Sequence, residues 1–162
     1  MAVDIFIKIE GAEGEAQDSS HKNEIDVVSW NWGMSQAGSF LAGTGAGSGT
    51  GKVQVRDLSF AKYVDKASTN LMLFCCNGKH VPEAVLTVRK AGESPVEYLK
   101  ITMSDCFISS VDAGGAGEQD RLMETVAINF GKVKVEYTPQ KADGTADAPT
   151  TLTWNVKENK SE

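Results

Sequence analysis

Apolar residues alternate with polar ones in short runs, and those runs repeatedly change phase. Val3, Ile5, Ile7 and Ile9 share one parity, with Asp4, Lys8 and Glu10 between them. That is the period of a half-buried strand. Phe6 breaks the alternation, so the second face of this strand is not fully solvated. Ile25 and Val27 begin another strand, and Val28, Trp30 and Trp32 continue it on the opposite parity. A one-residue shift turns side chains to the other face, so a bulge or sharp bend is expected at 27–28. The same slip separates Val53 and Val55 from Leu58 and Phe60. It recurs between Val126, Ile128, Phe130 and Val133, Val135, Tyr137, with Gly131 at the changeover. Leu86 and Val88 mark a shorter strand. Leu99, Ile101 and Met103 lie in a long one, from about 96 to 111. Leu152, Trp154 and Val156 share a parity in the closing stretch LTWNVKEN.

Long strands that slip phase suit strong twist and coiling. The expected fold is mainly β: a closed or nearly closed β-barrel built from two twisted sheets that share bent strands. Closure also hides edges that could recruit other chains. AGES before Pro95, DAGGAGEQD and KADGTADAP supply ordinary turn chemistry. One short flanking α-helix is expected in YVDKASTNLMLFCCNGKH. Asp65, Ser68 and Thr69 can cap its start, and Gly78 can end it in the left-handed region. LMLFCC is apolar on nearly every side, so such a helix must be covered. There is no internal repeat and no linker, which predicts a single domain over 1–162, with an extended Gly-rich loop at about 39–52.

Composition narrows the function. The chain has 162 residues, 41% hydrophobic, enough to bury a core. No apolar run reaches the length of a membrane-spanning helix. The start, MAVDIFIKIEGAEG, lacks the basic and apolar regions of a secretory signal. Export, if it occurs, is expected without a cleavable signal peptide. Sixteen Lys and Arg are scattered among 22 acids, for a formal charge of -6. With no basic cluster, neither nucleic acid nor an anionic membrane is an expected partner. Cys75, Cys76 and Cys106 are odd in number, two of them adjacent, which fits a reducing compartment and burial as small hydrophobes. His21 and His80 sit in no metal-ligand pattern. His21, in a polar loop, reads as an exposed or hydrogen-bonded surface histidine. His80 reads as a helix-end or packing residue.

The segment GTGAGSGTGK invites a phosphate reading and fails it. A P-loop needs its first glycine where this chain has Ala46, and a Ser or Thr where it has Val53; strand, not helix, follows. No serine lies in a GxSxG elbow. Glu118, Asp120 and Glu124 surround Arg121 as local ion pairs in a solvated turn, and they match no calcium loop. Nothing here selects an enzyme. Trp30, Trp32 and Trp154 read as core or subunit-interface residues. The alternative is a free β-barrel ligand-binding module in which those three line an aromatic pocket. The low-complexity stretch between strands reads as an arm, flexible or ordered by a partner. Its glycines permit close backbone approach.

Taken in order, VDIFIKIEGAEGEAQD, HKNEIDVVSWNWGMSQAGS, GKVQVRDLSFAKYVDKASTNLMLFCCNGKH, VRKAG and EQDRLMETVAINFGKVKVEYTPQKADG resemble the haemolysin-coregulated protein (Hcp) family, the tube protein of bacterial type VI secretion. The resemblance runs from Ala2 to about Asn155 and rests on the ordered series, not on one motif. It implies a hexameric ring with a wide channel, and rings that stack into a tube. A contractile sheath surrounds that tube, a spike protein caps it, and small effector proteins ride in its channel. It implies a non-enzymatic protein without cofactors, held in the bacterial cytoplasm before firing and then secreted or delivered into target cells. Some members carry C-terminal toxin domains; a chain ending at Glu162 is expected to be a plain structural and carrier member. The resemblance further implies that an arm contacts the adjacent ring. That arm comprises Ser39, Phe40, Leu41, Ala42, Gly43, Thr44, Gly45, Ala46, Gly47, Ser48, Gly49, Thr50, Gly51 and Lys52. Asn31 resembles a small polar, channel-facing position used in effector recognition. A serine is common there, so size and hydrogen bonding differ in this chain.

Overall fold

In β1 (Val3–Ile9), residues of both parities are buried. Ile7 and Ile9 enter the main core. Phe6, on the other face, is covered by the segment 14–24, whose His21 ring stacks on it at 4.5 Å between centroids. That segment crosses close to the backbone of its own return. A Cβ on Gly14 would lie 2.4 Å from the Glu24 carbonyl oxygen, so only glycine fits there. The computed structural model describes residues 2–38 and 51–162.

β2 (Ile25–Asp26) pairs with β1, and β3 (Ser29–Asn31) pairs with a different strand. The changeover falls at 27–28, where the apolar parity flips. The Val27 N–H donates to Ile5 O at 2.9 Å and the Val28 N–H donates to Ala61 O at 2.8 Å. A two-stranded ribbon follows, of β4 (Met34–Ser35) and β5 (Gln54–Val55), and then β6 (Leu58–Tyr63), which takes β3 on one edge. α1 (Ser68–Asn77) leads into β7 (His80–Lys90), β8 (Glu97–Gly114), β9 (Met123–Tyr137), β10 (Thr150–Asn155) and β11 (Lys160–Ser161).

The main sheet is antiparallel, in the order β11-β10-β9-β8-β7-β1-β2, with β6 also on β9. β9 is shared. Its first half pairs with β6 and its second half with β10, while β8 accompanies it along the opposite edge. The two bonds at Val27 and Val28 join the β1 edge to β6, which makes the barrel nearly closed.

The phase slips have a structural counterpart in the middle of β8 and β9. Buried positions run Ile101, Met103 and then Cys106, Ile108; across the ladder they run Val126, Ile128, Phe130 and then Val133. The pairs Ser104↔Lys132 and Cys106↔Phe130 leave Asp105 opposite Gly131. Asp105 has φ 56, one of the few side chains that tolerate the left-handed region. Both strands therefore turn their faces at the same level.

α1 ends as the sequence predicts, at Gly78 with φ 64. At its start, the Asp65 carboxylate accepts from the Ala67 N–H at 2.9 Å. Ser68 Oγ accepts from the Asp65 N–H but also turns inward to a buried pair described below. The expected all-round cover is absent. Leu71 and Phe74 are buried, while Leu73 remains 54% exposed and Met72 is also exposed. The cysteines divide too: Cys106 is buried, Cys75 is half-buried and Cys76 is exposed, contrary to burial of all three. Burial pushes the Cys106 thiol up to about 12.

Candidate functional site: a small-residue sheet face

Alternation on β6, β9 and β8 sends Leu58, Phe60, Lys62, Val126, Ile128, Phe130, Cys106 and Ile108 inward. Their neighbours form the opposite face, and strand register arranges these in rows. One row is Ser110, Ala127, Ser59 and Asn31; beside it lies Asp112, Thr125, Ala61 and Ser29. On the other side, Phe107 stands across from Asn129, and Asn129 is bonded to Asp57. Lysine and arginine are missing from all of these positions, and apart from Phe107 every side chain is small or polar. Asn31 is exposed at one edge of the face. It opens on a shallow depression of about 300 Å³, shared with Ser29, Trp30, Ser59 and Thr125.

The Asp57 carboxylate organises one end of this face. Its Oδ2 accepts from Ser109 Oγ at 2.6 Å, and its Oδ1 accepts from Asn129 Nδ2 at 2.7 Å. Ser109 is the residue at which the β8–β9 register shifts, and its Oγ also lies 3.2 Å from Ala127 O. The bulge thus aims a hydroxyl at Asp57 that a regular strand would not.

Of the arm, Ser39 through Thr50 lie outside the described residues. Gly51 and Lys52 are described, and both are exposed. The Gly51 N–H donates to Ala37 O at 2.9 Å, the β4–β5 ribbon pairs Met34 with Val55, and the Arg56 N–H donates to Gly33 O. The two ends of the arm therefore leave the barrel side by side.

The tryptophans are not gathered in one pocket. Trp32 and Trp154, with Met34, Val53, Val55, Val133 and Leu152, line an apolar cavity of about 180 Å³. Trp30 instead borders the Asn31 depression. Trp32 Nε1 donates to Arg56 O at 2.8 Å, whereas Trp154 Nε1 is buried without a partner among the described residues.

Two buried charged clusters depart from the sequence reading. His21 is 6% exposed, not a surface residue. Its Nδ1 lies 2.9 Å from Glu24 and its Nε2 2.8 Å from Glu97. Next to it Arg89 bonds Asp18 and Asp4 and lies over the Phe6 ring. The Arg89 guanidinium holds the Asp18 carboxyl well below the usual carboxylate range, and Asp18 raises Arg89 in return. The second cluster takes Glu124 away from the turn assigned to it. Glu124 and Lys62 are fully buried and paired, with Ser68 bonded to both. Arg121 stacks on Tyr63 instead, 3.8 Å from the ring centroid.

This combination of a nearly closed, mainly β barrel and a side helix has counterparts. A sequence model of the family described as "Type VI secretion system effector, Hcp" matches residues 6–137. The chain belongs to the Hcp family. It is 55% identical to protein hcp1 of Pseudomonas aeruginosa over 161 residues, 98% of either chain. Hcp1 from Salmonella typhimurium superposes with a TM-score of 0.82 at 41% identity, covering 100% of both chains. A structure titled as a type six secretion system protein gives a TM-score of 0.92 at 28% identity, over 99% of this chain and 100% of the other. This Hcp chain is thus a type VI secretion protein of mainly β fold, and no described helix is long and apolar enough to cross a membrane.

Proposed function

We propose that this Hcp chain is the repeating unit of the inner tube of type VI secretion. Six copies form a ring, rings stack head to tail, and the tube is expelled from a contractile sheath behind a spike protein. Small effector proteins travel in the channel, bound on the face that carries Asn31. Cytoplasmic assembly comes first and export follows. No bond is made or broken; the work is mechanical assembly and confinement of cargo.

The observation that carries this reading is the face built by β3, β6, β9 and β8. A sheet surface mostly of serine, threonine, asparagine and alanine, with Asp57 and Asp112 as its acids, Phe107 as its one large apolar side chain and no lysine or arginine at the positions named above, suits the wall of a passage. It offers hydrogen bonds at many points and little apolar area for a folded cargo to stick to. Heterologous contacts that close around the ring but not along its axis yield a filament of stacked rings. Native mass spectrometry tests the first step: a sixfold mass is expected, and a chain that stays monomeric at high concentration refutes it. The rival reading, a free ligand-binding barrel, draws on the cavity between Trp32 and Trp154 and requires a monomer or dimer.

A further inference from the structure

We infer that Asp57 is a positioning residue, and that by locking the Asn129 amide beside Phe107 it creates a recognition point for arginine or lysine side chains of a cargo protein. The inference rests on the reading of this face as the cargo face.

A carboxylate has only acceptors, so Asn129 must turn its Nδ2 toward Asp57, as the 2.7 Å bond requires. The amide oxygen Oδ1 is then directed away from Asp57, and no described donor bonds it. Ser109 holds the other carboxylate oxygen, so Asp57 cannot swing to release the amide. Directly across the ladder from Asn129 stands Phe107, 40% exposed and on the same face. An exposed ring beside a fixed carbonyl matches a side chain with an apolar stem and a cationic donor at its end. The stem lies on Phe107, the ring attracts the cation, and Asn129 Oδ1 accepts the hydrogen bond. Neither Asn129 nor Asp57 has a lysine or arginine of its own chain as a hydrogen-bond or salt-bridge partner among the described residues.

The test separates positioning from plain charge attraction. A fluorescein-labelled Gly-Arg-Gly-Arg-Gly peptide, with its glutamine counterpart as reference, is titrated against assembled protein by fluorescence anisotropy. Wild type is expected to prefer the arginine peptide. Asp57→Ala and Phe107→Ala should each weaken that preference at least about fivefold, the scale of one lost charge-assisted contact. Asp57→Asn removes the same charge but preserves the network. Its amide oxygen accepts from Asn129, its amide nitrogen donates to Ser109 Oγ, and the Ser109 proton turns to Ala127 O, already 3.2 Å away. Asp57→Asn should therefore bind as wild type does. Asp112→Ala, which removes one acid from the same face, should leave the preference within about twofold. Equal loss in Asp57→Asn and Asp57→Ala, an equal loss in Asp112→Ala, or no arginine preference in wild type overturns the inference. Native mass is read on every sample. A missing ring in wild type refutes the tube reading, whereas intact rings without these binding differences, or a ring lost only in Asp57→Ala or Phe107→Ala, overturn only the role of Asp57.

Discussion

Lys62 Nζ lies 2.5 Å from Glu124 Oε1, and neither side chain has any exposure. The two residues face each other across the β6–β9 ladder, and Ser68 and Asp65 reach the same ammonium from the start of α1. The pair thus fastens the helix to the barrel wall. Removing Lys62 leaves the buried Glu124 carboxylate without a cation, which costs about 3–5 kcal/mol, whereas removing Glu124 leaves Lys62 its contact with Asp65 and costs less. Lys62→Met should lower the unfolding free energy by that much and Glu124→Leu by less, each read from urea titration, while the double variant should recover most of the loss. An additive double variant would show that the pair is not a coupled unit.

That pair also shows what sequence reading gains and loses. Lys62 continues the inward parity of Leu58 and Phe60, and Glu124 that of Val126 and Ile128. Opposite charges on the core parity of two strands are the signal for the pair, but the turn beside Glu124, with its charged neighbours, carries an equally plain signal for a solvated acid. His21 is hydrogen-bonded, as one form of the expectation has it, and its burial escapes the sequence for a similar reason. Its neighbours are polar, and only Phe6, apolar on the wrong parity of β1, hinted that something must cover that face. By contrast, the turn at 27–28 and the bend near Gly131 were legible because a parity flip is a geometric statement about the chain itself. The Asp57–Ser109–Asn129 network was not legible. It depends on a bulge in β8, and no local pattern announces which residue a bulge will aim where.

The strap across Phe6 should respond to acid. Arg89 depresses the Asp18 carboxyl in the folded chain. A depressed carboxylate stabilises the fold above its unfolded value of about 3.9, and that contribution is lost as pH falls through the folded value. Wild type should exceed Asp18→Asn in stability by a constant margin from about pH 5.5 upward, and the margin should shrink steadily below about pH 4. Urea titrations at intervals across this range measure it. A margin that grows on acidification would contradict the ion pair.

His21 fixes the same strap through its stack on Phe6 and its bonds to Glu24 and Glu97. His21→Ala removes the stack and leaves two carboxylates without a partner. A loss of about 1–3 kcal/mol is expected. Hydrogen exchange should quicken first at Gly14, Ala16 and Asn23, whose N–H groups hold the strap together, before the β8–β9 ladder responds. Uniform acceleration throughout the barrel would instead make His21 part of the global core.

Asn31 sits at the exposed edge of the small-residue face, next to a shallow depression rather than in the packed core. Asn31→Trp should therefore cost less than about 0.5 kcal/mol and leave the native mass unchanged. What should change is retention of small proteins in the channel, read by co-purification from secreting cells. An unchanged cargo set in assembled rings would remove Asn31 from recognition.

Gly51 and Ala37 close the base of the arm with a backbone hydrogen bond, so the segment between them can be shortened without pulling strands apart. Loop closure depends only weakly on length. Deleting residues 42–48 should leave the melting temperature and the sixfold mass of isolated rings close to wild type. Stacking is a different matter. If glycine-rich backbone lies against the next ring, the deletion takes away that contact and shifts the population from tubes to single rings. Electron microscopy at matched concentration measures the ratio. Tubes as long and as frequent as those of wild type would mean that adjacent rings hold each other through the barrel ends alone.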